Sequence, residues 1–303
     1  MNTFVDRRAI LQGDTPLRTR SLAEFAQTKP QIQEPDGSPT WLSRGANFVV
    51  AVTRVRVGTV LARTRQPDEY MVIAPPELGL HMAAGAGVLE AEADSLTIVP
   101  PGDSTVTAKG EGYIYRIFST QAEDLAKLSA NAAVYADGAP EVAPLEPWPD
   151  PVGGFRLRTY PLGKLSSGQV FGRIFRSTNL MVNLFEPYNE PRRQDALSPH
   201  HHDDFEQGSL CLAGDFEHYL RAPWGKDRAA WKPDETVHCG SPSLTVIPAR
   251  TIHTTAWFGP CRMIDIFAPP RMDFSSKPGW VRNAADYPMP GAGPGLGSPP
   301  GHR

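Results

Sequence analysis

Along most of this chain the apolar side chains arrive in short β-branched runs cut off by proline or glycine, a pattern of strands rather than helices. The first half offers Asn47–Val55, Tyr70–Ile73, Ser95–Val99 and Tyr113–Phe118. The second offers Asn179–Phe185, Gly208–Leu212, Leu244–Ile247 and Met263–Phe267. Between the halves, Gln121–Ala133 has helical spacing, with Leu125 and Leu128 set for one face. The 31 prolines and 27 glycines punctuate these runs, so the pattern predicts an all-β chain with one short helical connection. From Pro288 to Arg303 there is almost nothing apolar to bury, and this tail is expected to be disordered or an extended arm.

The two halves also resemble each other. Ser95–Thr105 lies over Ser243–His253 without a gap, and Arg63–Tyr70 lies over His200–Gln207. In that register His81 falls on His218. Extra residues around Trp224 to Trp231 lengthen the second copy and account for the change of offset. Two matches in the same order point to a duplication.

The copies differ where chemistry would be done. Four of the eight histidines fall in His200-His201-His202 and His253. Imidazole is the commonest protein ligand for transition metals, and residues two apart on a strand share a face. His200 and His202 make such a pair, an amide or carboxylate follows at Gln207 or Glu206, and His253 arrives from a distant segment. This set is expected to hold one divalent transition metal with positions left open. The first copy has Arg63 and Arg65 in place of the histidine pair and Thr105 in place of His253. A guanidinium offers no lone pair, so the metal is expected in the second copy alone. His201 alternates away from its neighbours.

These residues resemble the cupin superfamily, and specifically a two-domain bicupin. In the family's first motif a His-x-His pair is followed by glutamate after three or four residues and then, six residues on, by glycine. His200-x-His202 is followed after four residues by Gln207 and, six residues later, by Gly214. The trailing glycine therefore favours Gln207 over Glu206 as the fourth ligand. Pro248-x-Arg250-x-x-His253 matches the core of the second motif, with Arg250 where the family has glycine and no asparagine at its expected place. The resemblance covers about Gly45 to Thr120 and Gly168 to Pro270. It implies two tandem jelly-roll β-barrels joined by a short helical linker, and a homodimer. The chain divides accordingly into an N-terminal arm (1–40), a degenerate barrel (41–122), a linker (123–164), a metal-binding barrel (165–275) and a Pro/Gly-rich tail (276–303). The implied function is a metal-dependent enzyme acting on a small organic molecule, foremost an Fe(II) dioxygenase. The alternatives are an isomerase, lyase or hydrolase using Zn, Mn or Ni, and a metal-containing binding protein.

Two further side chains are candidates for acid–base work. Alternation along Phe216, His218 and Leu220 turns His218 inward, where it would serve catalysis or sit as a hydrogen-bonded core histidine. Its alignment with His81 of the metal-free copy favours the core role. Glu206 would act as a base if a bulge turned it inward, and is otherwise structural. Arg63 and Arg65 would bind an anion or pair with Asp68 or Glu69. His238 and His302 have no motif support.

Composition narrows the partners. A formal net charge of -3 gives no reason to expect nucleic acid or a membrane surface, and no apolar run is long enough to span a bilayer. Met1 to Gly13 lacks the continuous apolar core of a signal peptide. Cys211, Cys239 and Cys261 show neither paired zinc-ligand spacing nor an even disulfide framework, so a reducing, cytoplasmic setting is expected.

Overall fold

The structure, a computed structural model, describes residues 17–291 apart from 167, 169 and 171. The expectations for Met1–Gly13 and His302, and for the tail beyond 291, lie outside the described residues. No helix among them is long and apolar enough to cross a membrane.

The strand patterns resolve into four antiparallel sheets that form two barrels. In the first barrel a seven-stranded sheet centred on Tyr70–Ala74 and Gly112–Ser119 faces a four-stranded sheet built on Gly102–Ala108. In the second a six-stranded sheet centred on Gln207–Ala213 and Arg262–Phe267 faces three strands, Glu235–Cys239, Phe216–Arg221 and Ile252–Trp257. Each barrel also receives a strand from outside its own segment. Ser21–Glu24, near the N-terminus, pairs with Ser243–Ile247 of the second barrel, and Arg158–Pro161, from the connection, pairs with Ser95–Val99 of the first.

The two large sheets stack face to face, with Val50, Met71 and Ile117 packed in one core with Phe175, Leu210 and Ile264. Two buried glutamates fasten this interface from opposite sides. Glu69 accepts from the Thr178 backbone N–H (3.2 Å) and the Tyr287 hydroxyl (2.8 Å); Glu206 accepts from the Ala46 N–H (2.6 Å) and the Tyr135 hydroxyl (3.1 Å). These positions, aligned in the repeat, make equivalent contacts in opposite directions.

The connecting helix is Glu123–Leu128. Its buried stripe is Ala122, Leu125, Ala126 and Ser129, spaced for one helical face, while Leu128 lies beside it at 51 % exposure. The expected pairing of Leu125 with Leu128 is therefore corrected to Leu125 with Ala126.

The repeat needs one adjustment. From Val99, opposite Tyr70, to Ser104, opposite Arg63, the first copy is one residue shorter than the second from Ile247, opposite Gln207, to His253, opposite His200, and a one-residue slip exchanges inward and outward side chains. Arg63 pairs with Ser104 across the first barrel as His200 pairs with His253 across the second. Ser104, not Thr105, thus stands where the second barrel has His253. By the same register, Met82, which faces Val106, corresponds to His218, which faces Thr255. His81 instead points outward and pairs with Glu90 at 2.6 Å, so it carries no argument about His218. Arg63 pairs with Asp124 (2.7 Å) rather than with Asp68 or Glu69, and Arg65 is exposed.

Candidate metal centre

The interiors of the barrels are chemically opposite. The first is filled by apolar side chains, among them Leu61, Leu80, Met82, Val106 and Phe118. In the second, alternation along Gln207–Ala213 and Arg262–Phe267 turns Gln207, Ser209 and Asp265 inward, and all three are buried. Buried polar groups of this kind persist only where they find partners. Here they form one connected group. The Gln207 amide nitrogen donates to Asp265 Oδ1 (3.0 Å) and Ser209 Oγ (3.1 Å), which fixes its carbonyl oxygen toward the histidines.

His200, His202 and His253 offer one nitrogen each within 4.8 Å of one another. Reciprocal backbone hydrogen bonds between His200 and His253 (3.0 and 2.8 Å) set two of the rings side by side. His200 Nδ1 lies 2.9 Å from the Ser198 carbonyl and His253 Nδ1 2.9 Å from the Thr251 carbonyl. A ring nitrogen facing a carbonyl carries the hydrogen, so both rings present a lone pair at Nε2. The His253 lone pair looks at the Gln207 carbonyl oxygen, 3.3 Å away. Two acceptors facing each other want a cation between them, and that separation suits two donors sharing one metal at bonds of about 2.1 Å. The residues therefore fit a divalent metal.

His202 is arranged differently. Arg271 Nη1 lies over its ring, 2.8 Å from Nδ1 and 3.2 Å from Nε2, and Nε2 faces Gln207 Oε1 at 3.0 Å. A divalent ion at Nε2 would meet this guanidinium at close range, so Arg271 would have to give way to it. Burial, then the Arg271 charge, holds His202 down to about 2; burial, then His200, holds His253 down to about 3. Both rings are thus neutral, the form that binds metal.

Of the two neighbours considered for the fourth position, Gln207 faces the cluster and Glu206 turns away to the interface between barrels. Glu206 is also absent from the lining of the adjoining cavity, which corrects its candidacy as a base there. His218 is inward and fully buried, but its Nδ1 is held by the Thr255 hydroxyl (2.8 Å) and its Nε2 faces Cys211 Sγ at 4.0 Å, away from the cavity. His201 is at the surface beside Asp203, and His238 beside Glu217. Trp224 and Trp231 stack on each other in the exposed insertion, ring centres 4.3 Å apart.

The cluster forms one wall of a cavity of about 1080 Å³, lined also by Phe185, Tyr188, Trp257, Phe274, Asp265 and Arg271. Sequence reasoning missed two residues here. Asp265 was legible, since Met263, Asp265 and Phe267 share one face of a strand otherwise read as core. Burial pushes its carboxyl up to about 7. Arg271 had no sequence signal. It follows the last strand of the barrel and reaches His202 only because the chain folds back there, with Asp273 (2.5 Å) as its ion-pair partner.

No protein-family model and no curated protein matches the chain. Solved structures do. Lactobacillus farciminis oxalate decarboxylase, in a formate complex, is 14 % identical over 86 % of this chain and 89 % of its own, with a TM-score of 0.57. A variant of Bacillus subtilis oxalate decarboxylase is 12 % identical over 85 % of this chain and 78 % of its own, at 0.55. A cupin 2 conserved barrel protein from Leptotrichia buccalis is 9 % identical, at 0.46. The likeness to the two decarboxylases, at such identities, speaks for the fold alone.

Proposed function

Starting from a bicupin fold whose second barrel alone gathers histidines, we propose that this chain is a metal-dependent enzyme acting on a small organic molecule, foremost an Fe(II) dioxygenase. The observation that carries the reading is the meeting of three imidazoles with the Gln207 carbonyl at the wall of the cavity. Iron bound by His200, His202, Gln207 and His253 would supply a redox-active centre with positions left for substrate and dioxygen.

The protein's own contribution follows from the lining. Phe185, Tyr188, Trp257 and Phe274 exclude water and take the apolar part of a substrate. Arg271 lines the same space, and with a metal held by the histidines its guanidinium would favour a substrate carboxylate or enolate. Asp265 lies in the cavity lining beside the ligand amide and offers a carboxyl for proton transfer. That carboxyl favours one second reading, a proton-transferring isomerase or lyase with Zn, Mn or Ni as Lewis acid.

The test is elemental analysis of protein purified without chelator or added metal, paired with oxygen uptake over a panel of small acids and diketones. Iron near one equivalent with substrate-linked uptake supports the dioxygenase. Zinc or nickel with turnover and no uptake supports the second reading. Retention of iron at the histidine cluster should be abolished by His202→Ala and untouched by Arg65→Ala; equal loss in both would refute the assignment to that cluster.

A further inference from the structure

Two strand positions deeper than His253 the same barrel gathers a different set of donors. Register places Leu220 opposite His253, His218 opposite Thr255 and Phe216 opposite both Trp257 and Cys239. Cys211 enters from the facing sheet, opposite Ser243. Cys211 Sγ, Cys239 Sγ and one ring nitrogen of His218 all lie within 4.8 Å of one another, and all three residues are buried. Both cysteines are free of disulfides. We propose that Cys211, His218 and Cys239 form a second metal site, separate from the histidine cluster, that takes a thiophilic divalent cation, zinc by preference.

Four observations lead there. The His218 ring is held at Nδ1 by the Thr255 hydroxyl, so its other nitrogen is aimed at the sulfurs, the usual way a protein orients a ligating imidazole. The Ser243 hydroxyl, 1 % exposed and without a hydrogen-bond partner, stands on the strand position paired with Cys211, where it would serve as a fourth donor. The surroundings, Phe216, Trp257 and Met263, are apolar. In such surroundings net charge is expensive, and two thiolates with a neutral imidazole cancel a divalent ion but not a monovalent one. Finally, the corresponding position in the filled first barrel is Met82, so the histidine belongs to this barrel and not to the fold in general.

Metal entry would form two metal–sulfur bonds and release to solvent the thiol protons it displaces, with no change of oxidation state. The spacing of the cysteines along the chain is wrong for a zinc motif; sheet register brings Cys211 and Cys239 together.

The full-length protein, stripped of metal under reductant, should be titrated anaerobically with Co²⁺. A near-ultraviolet thiolate-to-cobalt charge-transfer band is expected for the wild type and for His202→Ala/His253→Ala, because the thiol site survives loss of the histidine cluster. The band should vanish in Cys211→Ser/Cys239→Ser and weaken or shift in His218→Asn, and added zinc should displace it from the wild type. The zinc competition needs no variant, so a folding defect in the serine pair does not decide the matter. Absence of the band from both the wild type and the histidine variant would overturn the site, whatever metal the histidine cluster holds. So would a thiol count of one per denatured, chelated chain as isolated, which would mean a Cys211–Cys239 disulfide in place of a metal.

Discussion

Glu206 separates an electrostatic account of the barrel interface from a catalytic one. Its carboxyl is 4 % exposed and takes the Ala46 N–H and the Tyr135 hydroxyl, with Arg18 Nε no nearer than 4.0 Å. Burial is the largest influence and raises it from the ordinary 4.5 to about 7, against the opposing pull of the hydrogen bonds and Arg18. The unfolded chain loses this proton first as pH rises, so the folded state binds more protons between about 4.5 and 7 and stability falls through that window. At ~1.4 kcal/mol per tenfold change, the contribution present below the window and lost above it is about 3 kcal/mol. Glu206→Gln keeps the size and removes the titration. Urea unfolding should find the variant within ~1 kcal/mol of wild type at pH 5 and roughly 2–3 kcal/mol more stable at pH 8. Asp265 is raised into the same range, and comparing variant with wild type at each pH removes its effect. Equal destabilisation of the variant at both pH values would refute the reasoning and mean that Glu206 is ionised and held by Arg18.

Three other substitutions probe the centre itself. Gln207→Glu replaces the donor to Asp265 and Ser209 with an acceptor; metal-free protein should lose about 1–3 kcal/mol in thermal melts, and added metal should restore more than it does in wild type. Arg271→Met removes a cation 2.8 Å from His202 Nδ1, so affinity for divalent metal, measured against a competing chelator, should tighten roughly tenfold; weaker binding would mean that Arg271 supports the bound state. Arg250→Gly relieves a left-handed backbone (φ 65) at the site where the first barrel has Gly102 (φ 101), and should raise stability to urea by about 0.5–1 kcal/mol, with the N–H still bonded to the His202 carbonyl.

Strands, and the two ligands that lie on strands, were legible for one reason: both are written locally, as alternation along a strand. Ser95–Val99 is found where the pattern puts it, and Gln207 and His253 take their inward direction from their strands, whereas His200 and His202 precede the strand Gln207–Ala213 and were marked by the His-x-His motif alone. What depends on distant pairing was not legible. The four-residue strands Ser21–Glu24 and Arg158–Pro161 are too short to show a period, and each serves a barrel on the far side of the chain. Arg271 reaches His202 from beyond the barrel's last strand, and Cys211 meets Cys239 only through sheet pairing.

The slip of one residue in the repeat also explains how one fold supports two interiors. In the first barrel Tyr70 stands where the second has Gln207, and Ser104 where it has His253. The two hydroxyls meet at 2.9 Å and satisfy each other, and the space around them is filled by Leu61, Met82 and Val106. In the second barrel the same two positions present a carbonyl oxygen and an imidazole lone pair, which cannot satisfy each other. A pair that closes on itself makes a core, and a pair of opposed acceptors makes a place for a cation. Changing the first pair into the second without also emptying the apolar residues around it would bury two unpaired acceptors at roughly 1–3 kcal/mol each. A site for a cation in one of two similar barrels therefore calls for a different lining as well as different ligands, and the two barrels here differ in both.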